Sequence, residues 1–125
     1  MPDPYLNGRL RSFGHAFRGL KMLLQTQPNA RIHAAATVLV VVAGVLLRLS
    51  PAEWALIVLA IAGVRTAEAM NTAIEFLVDL VSPDPHPLAG KAKDIAAGAV
   101  LIAAIGSAVI GGFVFGPHLL RLLAR

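Results

Sequence analysis

From Ile95 to Leu120 no residue carries a fixed charge, and between Arg31 and Arg48 the only ionisable group is His33. A helix needs about 20 apolar residues to cross the hydrocarbon of a bilayer. There it must also pair every backbone polar group within its own segment, because no water can. These two runs therefore restrict the chain to membrane-spanning helices. The composition agrees, with 57% hydrophobic and 14% charged residues, where soluble domains average about 25% charged.

The 125 residues form one domain with room for about three spans. There is no cysteine, so disulfides and thiol chemistry are excluded. The net charge of +4 comes largely from a basic N-terminal segment that suits an anionic membrane surface rather than a nucleic acid. No cleavable signal peptide is visible, because no apolar core follows the basic start.

Met1 to Gly8 reads as a frayed end. Beyond it, Leu10, Phe13, Phe17, Leu20 and Leu24 recur at spacings of three and four, with Arg9, Arg11, Arg18 and Lys21 on the remaining surface. That pattern predicts an amphipathic helix over 9–25, lying in the bilayer interface. Pro28 ends it. Spans are expected at about 30–49, 52–81 and 91–121, the first completed by snorkelling of its terminal arginines. Ser50 is the expected N-cap of the second span, with Pro51 at its first helical position. Trp54 would then mark the outer interface. The connector Ser82-Pro-Asp-Pro-His-Pro87 breaks the helix. In the third span Ala99, Ala103, Ser107 and Gly111 put a small residue at every fourth position, a face expected to contact another helix.

One stretch departs from this apolar background. Glu68, Asn71, Glu75 and Asp79 follow at spacings of 3, 4 and 4 inside the second span. At about 100° per residue they share one sector of the helix. Lys93 and Asp94 open the third span. Ionisable groups inside an apolar helix are costly and point to function. Oxygen ligands beside a lysine at a membrane surface suit magnesium-assisted phosphate chemistry. Glu75 and Asp79, i and i+4 at the cytoplasmic end, suit metal binding; Glu68, deeper, suits a base for a lipid-borne hydroxyl. Each has a bland alternative: Asp79 and Asp94 as interfacial caps, Asn71 as an interhelical donor, His86 as a loop residue. Neither a Walker loop nor the kinase glycine loop is present, so a soluble nucleotide-binding fold is excluded.

The segment Glu68-Ala-Met-Asn71-Thr-Ala-Ile-Glu75 with Val78-Asp79, then His86-Pro-Leu-Ala-Gly90-Lys-Ala-Lys93-Asp94, resembles the prokaryotic diacylglycerol kinase and undecaprenol kinase family. Phe17-Arg18-Gly19-Leu20 and Asn29-Ala-Arg-Ile-His33 extend the likeness over nearly the whole chain. The resemblance implies an all-α homotrimer of three-span subunits with an interfacial N-terminal helix, transferring the γ-phosphate of ATP to a lipid alcohol with Mg2+. It implies catalytic roles for Glu68, Asn71, Lys93 and Asp94. Nucleotide contacts are implied for Glu75, Asp79, His86, Gly90, Lys93, Asp94 and His15, and metal coordination for Glu75 and Gln27. Three residues depart from the family's pattern. Gln27 stands where a glutamate is usual and His15 where a tyrosine is common, while Arg65 replaces an apolar residue and could pair with Glu68.

The Asn-Ala-Arg-Ile-His and Ser-Pro-Asp-Pro-His-Pro variants lean toward undecaprenol as acceptor. The alternatives are diacylglycerol as acceptor or, in a different class, an ion-conducting or scaffolding membrane subunit. Lys91, Lys93 and the N-terminal basic residues outnumber Arg48, Arg121 and Arg125, which predicts a multi-pass protein of the bacterial inner membrane with a cytoplasmic N-terminus.

Overall fold

A computed structural model describes residues 4–125. These residues contain no strand and form four helices: α1 (Pro4–Thr26), α2 (Pro28–Leu47), α3 (Pro51–Val81) and α4 (Pro87–Leu123). The last three are each long and apolar enough to cross a membrane.

Helix α1 starts earlier than the frayed end expected over Met1 to Gly8, since Tyr5 to Gly8 are already helical. Pro4 fits a first turn because the N–H it lacks would be unpaired there. Met1 to Asp3 lie outside the described residues. Leu6, Leu10, Phe13, Phe17 and Leu20 stay exposed along α1, and Leu23 alone is buried, against the rest of the protein. An apolar stripe with no protein cover is what an interfacial helix presents to lipid.

The α1–α2 corner is built by Gln27 in extended conformation (φ −110°, ψ 110°) followed by Pro28 at the first helical position. Arg31 folds back over it, donating from Nε to the Leu24 carbonyl at 2.8 Å and from Nη2 to the Gln25 carbonyl. It therefore satisfies carbonyls that the end of α1 leaves open. Helix α2 ends in a Schellman motif. The Leu49 N–H reaches the Gly44 carbonyl at 3.1 Å and the Arg48 N–H reaches Val45 at 3.2 Å, with Arg48 left-handed at φ 56°. Ser50 and Glu53 then form a reciprocal capping box at the start of α3, as the sequence predicted for Ser50.

Helices α3 and α4 make the main packing of the molecule. The small-residue row predicted for α4 is only partly its contact face: Ala103, Ser107 and Gly111 turn inward but Ala99 is exposed. The reason is geometric, because a strict four-residue repeat drifts about 40° per step around a helix. The observed seam runs Ala96, Val100, Ala103, Ser107, Ile110 and Val114, alternating steps of four and three as in a coiled coil. On α3 it is Ile57, Ala60, Val64, Glu68 and Thr72, so Glu68 belongs to the packing face itself. Ser107 Oγ donates to the Ala60 carbonyl at 3.0 Å. At the far end His118 Nε2 meets Glu53 Oε1 at 2.9 Å. There Leu49, Ile57 and Val114 form the buried core, with Trp54 packed against them.

Candidate active site

All of the predicted site residues but Asp94 and His15 fall into two groups. The first lines a cavity of about 400 Å³ between the α1–α2 corner, α3 and α4, containing Gln27, Asn29, His33, Glu68, Asn71 and Glu75. The second lines a cleft of about 330 Å³ under the α3–α4 connector, containing Asp79, Asp84, His86, Gly90 and Lys93. Asp79 is about three turns beyond Glu68, so one stripe serves both chambers. Asp94 is exposed and lines neither. His15 lies on α1 beside Arg11 and Arg18 and also lines neither, with an Arg18 nitrogen 2.5 Å from its Nδ1.

Glu68 is only 4% exposed, and both its oxygens are engaged. Arg65 Nη1 donates to Oε2 at 3.1 Å and to the Ala30 carbonyl at 2.9 Å, which ties α3 to the first turn of α2. The Arg65–Glu68 pair was legible from the i, i+3 spacing. The contact on the other oxygen was not: His33 Nδ1 of α2 meets Glu68 Oε1. The available signal was that His33 is the sole ionisable group in an apolar span.

One turn along, Asn71 Nδ2 donates to Glu75 Oε1 at 3.1 Å, while Asn71 Oδ1 is buried without a partner. A buried acceptor without a donor is unfavourable unless something else supplies the positive charge. Among the described residues no three His, Cys, Asp or Glu side chains cluster as a metal site. The oxygen set of Glu75, Asn71 and Gln27 in one cavity nevertheless fits magnesium, which is usually held by one or two carboxylates together with substrate phosphates.

In the connector cleft Lys93 Nζ lies 2.5 Å from Asp79 Oδ1, joining the start of α4 to the end of α3. Both side chains are well exposed, so the pair adds little stability and can open to a ligand. His86 caps α4, its Nδ1 accepting the Leu88 N–H at 3.1 Å. The sequence offered it as a loop residue or a nucleotide contact, and it also lines this cleft.

A third space, an apolar groove of about 290 Å³, runs up the spans past Val40, Ile57, Ile61, Ala108 and Phe115. His33 and Ala104 line both this groove and the polar cavity. Arg65 stands at the groove's polar end.

The family model for prokaryotic diacylglycerol kinase matches residues 14–115. The chain belongs to the prokaryotic diacylglycerol kinase family. It is 46% identical over 114 residues to an undecaprenol kinase of Bacillus subtilis, covering 91% of this chain and 93% of that protein. It is 44% identical over 115 residues to a diacylglycerol kinase of Synechocystis, covering 91% of this chain and 66% of that protein. A diacylglycerol kinase of Escherichia coli is 30% identical over 109 residues, 87% of this chain and 89% of that one. A membrane protein of a lipid kinase family therefore places its carboxylates where an apolar groove meets a polar cavity.

Proposed function

We propose that this protein transfers the γ-phosphate of ATP to a lipid alcohol, with undecaprenol as the acceptor. The observation that carries the reading is the shared wall of groove and cavity. A lipid tail in the apolar groove brings its hydroxyl to the carboxylate stripe without leaving the membrane. The undecaprenol assignment is supported by the Bacillus relative. Diacylglycerol is the second reading, supported by the Synechocystis relative.

The acceptor oxygen forms a bond to the γ-phosphorus, the bond from that phosphorus to the oxygen of the leaving ADP breaks, and the hydroxyl proton leaves toward the Glu68 side of the cavity. Magnesium, when bound, neutralises phosphate charge. Glu75, Asn71 and Gln27 would hold it. Lys93, released from Asp79, draws the nucleotide phosphates to the connector cleft, where Gly90 leaves space for them. Asp94, at the same end of α4, is kept as a candidate by the resemblance alone. His15 is the weakest nucleotide contact, since it sits apart on α1.

A homotrimer in the bacterial inner membrane, with a cytoplasmic N-terminus, completes the proposal. The basic residues of α1 and the connector support the orientation. The little that α2 and α4 bury within one chain leaves faces for further copies. Single cysteines, Asp3→Cys and Ala124→Cys, test the orientation: an impermeant reagent on intact cells should label only the second. For the activity, protein in nanodiscs is given Mg-ATP with undecaprenol, diacylglycerol or ceramide. Undecaprenol should be phosphorylated fastest, and no transfer to any lipid alcohol would end the proposal.

A further inference from the structure

We propose that the free edge of the Arg65 guanidinium holds the oxygen of the lipid alcohol and so turns its hydroxyl hydrogen toward Glu68. The inference rests on the alcohol-phosphorylation reading of this site and names the residue that grips the acceptor within it.

Arg65 is set apart from the charged residues around it by the space it faces. It lines the apolar groove and not the polar cavity, while Glu68 lines the polar cavity and not the groove. The ion pair between them therefore crosses the boundary where a lipid from the groove meets a nucleotide from the cavity.

Both bonds that Arg65 makes leave from one nitrogen. Nη1 donates to Glu68 Oε2 at 3.1 Å and to the Ala30 carbonyl at 2.9 Å, which uses both of its hydrogens. A guanidinium carries five N–H donors. The rest, on Nε and Nη2, have no hydrogen-bond partner among the described residues. Nε–H and one Nη2–H lie parallel along one edge of the planar group, the fork that grips oxygen acceptors. That edge is what Arg65 has to offer the groove. Charged donors left unpaired inside a membrane span are costly, and they mark a binding site or a pathway.

The groove itself leaves the edge unmatched. The Thr37 and Ser107 hydroxyls donate to the His33 and Ala60 carbonyls, and His33 Nδ1 is turned to Glu68 Oε1. Among the described residues Arg65 is the one fixed charge on an otherwise largely apolar lining. A ligand that reaches it along that lining has to carry its oxygen on a hydrocarbon chain. A hydroxyl meets the requirement, because its oxygen accepts with two lone pairs while its hydrogen is still free to donate. Glu68 can take that hydrogen: a carboxylate has about four acceptor sites, and His33 and Arg65 each occupy one. In the transfer the hydroxyl proton passes to Glu68 as the oxygen bonds to the γ-phosphorus, and the P–O bond electrons leave with ADP. Arg65 keeps its protons throughout.

Two analogues of undecaprenol test the contact without turnover. The methyl ether keeps the oxygen but has no hydrogen for Glu68, and the hydrocarbon lacking the hydroxyl has neither. Purified protein in detergent micelles, without ATP, is given each analogue, and the bound fraction is read by native mass spectrometry. The ether should bind about 10-fold or more tightly than the hydrocarbon, as a hydrogen bond to a charged group implies. Equal binding would overturn the proposal, and this comparison needs no variant. In Arg65→Met the two analogues should bind alike, and a folded variant that keeps the preference would overturn it as well. In turnover, Arg65→Met should raise the KM for undecaprenol about 10-fold and leave the KM for Mg-ATP unchanged. A lower kcat with an unchanged lipid KM would make Arg65 a support for Glu68 alone and refute the contact. The analogue comparison is readable even if no lipid alcohol is phosphorylated, so failure of the kinase reading stays distinguishable from failure of this one.

Discussion

Replacing Arg65 by methionine isolates the ion pair at the centre of the molecule. The guanidinium lies 3.1 Å from Glu68 Oε2 and 2.9 Å from the Ala30 carbonyl. Removing one partner of a buried pair costs about 3–5 kcal/mol, because a charge is left uncompensated. Here His33 still holds the other carboxylate oxygen, and Arg65 is 24% exposed. Those two facts lower the expectation to about 2–4 kcal/mol, including about 1 kcal/mol for the hydrogen bond to Ala30. With Glu68→Gln already present, the same Arg65→Met change should cost about 1 kcal/mol, since only that carbonyl contact remains to be lost. The coupling is then about 1–3 kcal/mol, within the range seen for residues in direct contact. The assay is a double-mutant cycle on reversible SDS unfolding in mixed micelles, followed by circular dichroism. A coupling below about 0.5 kcal/mol, the usual limit of additivity for independent sites, would show that the two side chains do not act as a pair.

Three further outcomes are expected. Glu75→Gln keeps an acceptor for the Asn71 amide and should fold normally yet lose phosphoryl transfer, because a metal ligand's charge is worth several kcal/mol; near-normal turnover would remove Glu75 from the metal site. Gln27→Glu adds a negative charge to the same cavity and should lower the magnesium concentration giving half-maximal rate at fixed ATP; an unchanged or higher midpoint would place Gln27 outside the metal shell. A Cβ at Gly44 would lie 2.7 Å from the Trp54 ring, so Gly44→Ala should destabilise the α2–α3 hairpin by about 1–3 kcal/mol in the same unfolding assay. Trp54→Phe should recover part of that loss, and no recovery would exclude the ring as the cause.

What the sequence determined by itself is what local chemistry decides. Charge-free length sets the spans, and Pro28, Pro51 and Pro87 set where helices begin, since each lacks only an N–H that a first turn leaves unpaired. Ser50 needs nothing beyond Glu53, three residues on, to cap α3. The spacing of Glu68, Asn71 and Glu75 sets one polar stripe because rotation per residue is a property of the backbone. The tertiary structure decided what that stripe meets. His33 and Glu68 are 35 residues apart, and their contact depends on how far α2 is rotated and shifted against α3. The bend at Gln27 and the packing of Gly44 on Trp54 fix that relation. Helical periodicity carries no information about the relative register of two helices. For the same reason the division of Glu75 from Asp79 between two chambers, closed by the α1–α2 corner and by the α3–α4 connector, could not be read from a single helix, whereas the drift that exposes Ala99 is a property of α4 alone.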